Sequence, residues 1–197
     1  MNSFTLAGSI IGGTVYFVLW VQILRGLKQN FATWILWSLI DVVATLSTLI
    51  EKGNFLLPVT YAAGSLLIAM TVFFRFGMKR ISWGPNETMT AVLVVICLVA
   101  YEIFGGIAGI VVSTISVGIA GIPQLYDFWV DPWHAPFLAY FGFFAANILS
   151  TIGGTNWSLE ERYYPFFCSV TCFVVVLVIA RRWWLKDPRT QRALDES

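Results

Sequence analysis

An all-α integral membrane bundle of seven transmembrane helices is the fold this sequence predicts, and three observations predict it. The chain is 58% hydrophobic and only 12% charged, whereas a soluble domain carries about 25% charged residues. Apolar runs of about 20 residues, the length that crosses a bilayer, recur from one end to the other. Positions in the first third reappear in order in the last third, which predicts two three-helix repeats joined by one linker helix.

The runs are read as helices at 4–24, 31–50, 55–76, 87–104, 107–128, 135–153 and 163–184. The first follows Met1–Leu6, which has no basic region, and is long enough to span, so it is read as a span and not as a cleavable leader. The fourth follows Gly84-Pro85-Asn86: Pro85 ends the loop and Asn86 is the expected N-cap. Only Gly105-Gly106 separates the fourth run from the fifth. Near the end of the fifth stands Pro123-Gln124, followed by Asp127. A proline there frees a backbone carbonyl and permits a bend, either a gate hinge or a fixed kink. Gly8, Gly12 and Gly13 in the first run, and Gly105, Gly106 and Gly109 around the start of the fifth, allow close helix packing. Trp183-Trp184 beside Arg181-Arg182 reads as an interfacial anchor. Glu160-Glu161-Arg162 reads as a solvated loop.

Leu46-Ser47-Thr48 recurs as Leu149-Ser150-Thr151 at an offset of 103, which places Trp34 and Trp37 on Phe137 and Tyr140. Pro58 falls on Pro165 and Arg75 on Arg182 at an offset of 107, and Val21-Gln22 falls on Pro123-Gln124 at 102. The matches keep their order and the offset drifts little, which argues for duplication. The chain therefore divides into a first repeat (4–76), a loop and linker helix (77–106), a second repeat (107–184) and a cytoplasmic tail (185–197). Two units of three helices need an odd linker to lie parallel, and the fourth run supplies it.

Lys and Arg bias sets orientation. With seven spans, Arg25, Lys28, Arg75, Lys79, Arg80, Arg181, Arg182, Lys186, Arg189 and Arg192 fall on one side, and only Lys52 and Arg162 on the other. That bias predicts an N-terminus outside and a C-terminus in the cytoplasm; the plasma (inner) membrane is the expected location, with an organelle membrane left open. The loop after the fifth run is the exception, with Asp127, Asp131 and His134 and no Lys or Arg. His134 beside Trp133 is a weak candidate for pH sensing.

Polar residues inside a bilayer are expensive, so each needs a reason. Trp34, Trp37, Asp41, Thr45 and Thr48 are spaced 3, 4, 4 and 3 and share one helical face. Tyr140, Phe144, Asn147 and Thr151, spaced 4, 3 and 4, share another. Asn147 aligns with Ala44, one turn from Asp41. An aromatic wall with an Asp, Asn or Thr is what a small polar solute needs for binding. Trp34, Trp37, Asp41, Thr45, Tyr140, Asn147 and Thr151 are therefore the candidate substrate-binding residues. The plainer reading is interhelical hydrogen bonding and aromatic packing. Asp41 is also the first candidate for proton coupling, because burial favours the uncharged acid. Glu102, about a turn from the end of the fourth run, could snorkel to the interface, pair with a polar group or take a proton.

Other functions are excluded by what is missing. A net charge of +1 with no basic–aromatic stretch argues against nucleic-acid binding. Cys97, Cys168 and Cys172 have no CxxC spacing and one histidine to join them, so no metal site is assigned. There is no GxSxG, HExxH or phosphate-binding loop, so neither an enzyme nor a cofactor is assigned. No lysine lies in the seventh run, which argues against a Schiff-base retinal pigment.

Gly121-Ile122-Pro123-Gln124, followed by Asp127 and Asp131-Pro132, resembles the PQ-loop motif, with a degenerate copy at Gln22. The layout over residues 4–184 is similar to the PQ-loop and SWEET-type transporter superfamily. Its members include sugar uniporters, proton-coupled amino-acid exporters, vitamin-precursor carriers and a retrieval receptor. The resemblance implies a central solute cavity between the two units that opens alternately to each side. It implies that Pro123 and Gln124, with Gln22, form the inner gate and that Asp127 stands near a proton-coupling position. The first copy lacks the proline, and the Trp and Asn positions of the sugar carriers do not map onto the third helices.

The resulting expectation is a carrier for a small polar solute, a sugar or similar, working by alternating access as a uniporter or with protons. The alternative is a membrane receptor or interaction protein on the same fold, with Asp41 and Asn147 bonded to one another and no continuous cavity. The expected partners are the solute and the lipid bilayer, and a homo-oligomer is left open.

Overall fold

A computed structural model describes residues 2–26, 30–77, 83–133 and 135–184. Lys28, Lys79, Arg80, His134 and the 185–197 tail with Lys186, Arg189 and Arg192 lie outside the described residues. The described residues form only helices and their connections: α1 (Ser3–Leu24), α2 (Phe31–Ile50), α3 (Leu56–Phe76), α4 (Pro85–Phe104), α5 (Gly106–Ala120), α6 (Ile122–Val130), α7 (Phe137–Ile152) and α8 (Leu159–Ala180), the last extended by a 3-10 turn at Arg181–Trp183. α5 and α6 together make one rod, Gly106–Val130. Six of the resulting seven rods are long and apolar enough to cross a membrane. The seventh, α7, has 16 residues and spans ~24 Å at 1.5 Å per residue, short of the ~30 Å hydrocarbon core.

Three differences from the sequence expectation bear on the packing, beside shifts of one or two residues at the end of α6 and at both ends of α7. The fifth run is divided at Gly121, between α5 and α6. Pro123 has no N–H to give the carbonyl of Ile119, and its ring crowds that carbonyl, so the ladder breaks one turn before the proline. α4 begins at Pro85, with Gly84 and not Asn86 as N-cap, and the Glu87 carboxylate accepts the Gly84 N–H at 2.9 Å. α8 begins at Leu159, so Glu160 and Glu161 lie in its first turn, where carboxylates favour the positive end of the helix dipole. Glu160-Glu161-Arg162 is therefore helix and not a free loop. Arg162 donates to the carbonyls of Asn156 (2.6 Å) and Gly154 (2.7 Å) and stacks 4.0 Å over Trp157.

α3 lies between α1 and α2, and α8 lies between α7 and the α5–α6 rod. α1 packs along α7, α2 packs along α5, and α4 closes against α5 and α2. At one end, Asn30 and Thr33 both donate to Glu87 at 2.8 Å, joining the starts of α2 and α4. The same end holds Arg25, Arg75, Arg182 and Arg181, whose guanidinium donates to the Trp129 carbonyl and lies over the Trp129 ring. Lys52 and Arg162 stand at the other end, where the Asn54 N–H donates to the Glu160 carbonyl at 3.2 Å.

The core has two main parts. Tyr16, Leu19, Ile23, Ala44, Leu57, Ile68, Val72 and Ala146 join α1, α2, α3 and α7. Leu36, Ile40, Val43, Val94, Cys97 and Ala120 join α2, α4 and α5. The outside stays apolar: α4 alone exposes Val92, Val95, Ile96, Val99, Ile103 and Phe104. A water-soluble bundle would put charge there, whereas a lipid-facing helix needs none.

Candidate functional site

Two hydrogen bonds in the middle of the bundle join helices far apart in sequence. Tyr164 on α8 donates its hydroxyl to the Asp41 carboxylate on α2 at 2.8 Å. Asn147 on α7 donates its amide to the Tyr61 hydroxyl on α3 at 2.9 Å, and to its own helix at Phe143 at 2.7 Å. The two pairs touch, because the Tyr61 and Tyr164 rings meet edge-on at 6.3 Å. Asp41 is 4% exposed, Tyr61 7%, Tyr164 2% and Asn147 0%, so the cluster is sealed in this structure. Asp41 and Asn147 are not bonded to each other directly but belong to one polar island.

The island sits in an aromatic shell. Tyr16 of α1 packs edge-on against Tyr61 (5.6 Å), Phe143 (5.1 Å) and Trp34 (6.4 Å). Trp34 in turn meets Trp37 at 5.8 Å, and Tyr140 connects Phe143 to Phe128 of α6. Tyr16 reaches this position because α3 carries Gly64 there. A Cβ on Gly64 would fall inside the Tyr16 ring.

The structure treats the sequence candidates unequally. Asp41 and Asn147 lie in the island, and Trp34 and Tyr140 lie in its shell. Trp37 lies half-buried beside Trp34, and its indole N–H is buried without a hydrogen-bond partner. Thr45 and Thr151 line the same helical faces, but their hydroxyls bond back to the carbonyls of Asp41 (2.7 Å) and Asn147 (2.8 Å). That local bond is the usual resting place of a helical threonine. Pro123 marks the α5–α6 break and borders an outer groove of about 370 Å³ that Asp127 also lines. Gln124 is half-buried on α6, whereas Gln22 is exposed on the last turn of α1. Asp127 and Glu102 are both exposed, so of the three proton-coupling candidates only Asp41 is in the island.

Tyr61 and Tyr164 were the residues missed. A signal existed: each is a phenol in an apolar helix, and a buried phenol needs a partner for its hydroxyl. Each also stands close to a proline of the repeat, Pro58 or Pro165.

Chemically, the island holds one polar group with capacity to spare, and a second lies beside its aromatic shell. The Asn147 carbonyl oxygen is buried without a donor, and the Trp37 N–H is buried without an acceptor. Groups of this kind are rare in a native core and mark places where a ligand or water would be gained. Among the described residues no three His, Cys, Asp or Glu side chains come together as a metal site. Comparison of this chain with protein-family models, curated proteins and solved structures finds no match in any of the three.

Proposed function

We propose that this chain is a membrane carrier for a small polar solute, built as two parallel three-helix units around the linker helix α4. The observation that carries the proposal is the pair of crossed hydrogen bonds. On the two-unit reading, the second helix of each unit gives a polar side chain to a tyrosine on the third helix of the other: Asp41 to Tyr164 and Asn147 to Tyr61. The polar island then lies on the seam between the units, where two-unit carriers bind solute. The packing supports the same reading, because the third helix lies between the first and second in both units and the first helix of each packs on the second of the other.

The orphaned Asn147 oxygen suits a solute that offers a donor, as a sugar, amino acid or nucleoside does, and the orphaned Trp37 N–H stands beside the shell on α2. Aromatic faces around them suit the apolar side of such a solute. The resemblance to PQ-loop and SWEET-type carriers agrees with this layout, and the arginine-rich end would then face the cytoplasm.

A second reading, a receptor or interaction protein without transport, draws on the sealed state of the island. Uptake into proteoliposomes separates the two. The protein would be given a pool of labelled sugars, amino acids and nucleosides, with and without a pH gradient, and compared with Asp41→Asn. Uptake that the variant loses, or no longer couples to protons, supports the carrier. No uptake of any solute by folded, oriented protein would leave the receptor reading standing.

A further inference from the structure

The end of the bundle that carries Lys52 and Arg162 is closed by two matched helix crossings. At one, Gly8 of α1 rests on α7, and a Cβ there would lie 2.5 Å from the Ala146 carbonyl and 3.4 Å from the Ser150 Cβ. At the other, Gly109 of α5 rests on α2, and a Cβ there would meet the Ser47 hydroxyl and lie 3.0 Å from the Ser47 Cβ. Ser47 and Ser150 are the serines of the recurring Leu-Ser-Thr, and Gly109 follows Gly8 at an offset of 101. One turn further out the pattern repeats: Thr5 on Gly153, and Gly106 on Glu51, again with 101 residues between the α1 and α5 members. Above them the α2–α3 loop meets the start of α8, Asn54 against Glu160.

The serine hydroxyls do not lock these crossings, and the polar contact at Ser150 is a long one, from the Asn54 amide to the Ser150 carbonyl at 3.5 Å. Ser47 and Ser150 are both 0% exposed, and both hydroxyls lack a hydrogen-bond partner. A helical serine ordinarily bonds back to its own helix, as Ser65 and Ser113 do here. Separating the helices would let water reach two buried hydroxyls that have no partner while the crossings are closed, which offsets part of the lost packing. Packed interfaces change between discrete arrangements and do not deform continuously. The opposite end differs: α6 buries no residue, and beyond Gly121 it packs chiefly on α8.

We infer that the Gly8–Ser150 and Gly109–Ser47 crossings are the two halves of one gate over the polar island, closed in this structure, and that they open together. The inference rests on the carrier reading for its purpose but is tested without any solute.

In a background with Cys97→Ser, Cys168→Ala and Cys172→Ala, Ser47→Cys and Ser150→Cys are made singly and exposed to a membrane-impermeant maleimide from the Lys52/Arg162 side. Thr155→Cys, in the exposed loop at that end, sets the unshielded rate. A minor open state of 0.1–10% predicts labelling about ten to a thousand times slower at both serine positions. Oxidising an added Asn54→Cys/Glu160→Cys pair should tie the α2–α3 loop to the start of α8 and stop labelling at both positions, and reductant should restore it. Monodisperse elution in detergent checks folding of each variant. The gate is refuted if either position labels as fast as Thr155→Cys, if neither labels at all without the tie, or if the tie protects one position and not the other. Labelling that follows the tie without any solute uptake keeps the gate and removes the carrier.

Discussion

Removing one phenolic hydroxyl tests whether the island is held by crossed bonds or only by shape. Tyr164→Phe keeps the ring and deletes the donor that lies 2.8 Å from Asp41. A side-chain hydrogen bond contributes about 0.5–1.5 kcal/mol in soluble proteins, and more where one partner is ionised. Interhelical bonds in a membrane protein average only about 0.6 kcal/mol, with a ceiling near 1.7, because the unfolded state in lipid also finds partners. Asp41 is buried and this is the bond that joins it to α8, so the upper part of the membrane range applies, about 1.5 kcal/mol. Tyr61→Phe should be milder, about 0.5 kcal/mol, because Asn147 keeps its 2.7 Å bond to the Phe143 carbonyl. The assay is reversible unfolding in mixed detergent–SDS micelles. A double-mutant cycle of Asp41→Leu with Tyr164→Phe should give a coupling of about 1–1.5 kcal/mol, the pair together losing less than the sum, since replacing both partners leaves nothing unsatisfied. A coupling below about 0.3 kcal/mol, or equal losses from Tyr164→Phe and Tyr61→Phe, would refute the reasoning.

Other substitutions probe the supports around the island. Gly64→Val should lower stability by about 1–3 kcal/mol through overpacking, because its Cβ meets the Tyr16 ring; a wild-type unfolding midpoint would count against that close approach. Glu87→Ala removes the acceptor shared by Asn30, Thr33 and the Gly84 N–H and should lose about 1–2 kcal/mol at this partly exposed site, whereas a change below 0.3 would make the clamp incidental. Pro123→Ala restores an N–H aimed at the Ile119 carbonyl, so amide exchange around 119–125 should slow by about tenfold or more if α5 and α6 fuse, and unchanged exchange would place the cause of the break elsewhere. Arg162→Ala frees the carbonyls of Gly154 and Asn156 and should make the 154–157 loop the first site cut by added protease, with no change if the loop is held by other contacts.

Much of the fold was legible because bilayer-length apolar runs leave little choice. The α1, α2 and α3 boundaries were within a residue of the expectation, and Asp41 and Asn147 stood out because a charge or amide on an apolar face has no cheap explanation. Tyr61 and Tyr164 did not stand out, since tyrosine in such a helix also serves at interfaces or as plain packing. Their partners lie 86 and 123 residues away, and no local pattern carries that information. The break at Gly121 was half visible: proline announces a bend, but where the ladder fails depends on what neighbouring helices still hold.

By itself the sequence determined which segments are helices, which faces are polar and at which ends the charges gather. These follow from 3.6-residue periodicity and from the cost of polar groups in lipid, and both act along the chain. Only the tertiary structure decided which polar group meets which. That Asp41 turns to Tyr164, that Asn147 turns to Tyr61, and that Gly8 and Gly109 press against Ser150 and Ser47 depends on how close distant helices can come. Within a bilayer that approach is set by side-chain volume at the crossing and not by hydrophobicity, which lipid and protein supply equally.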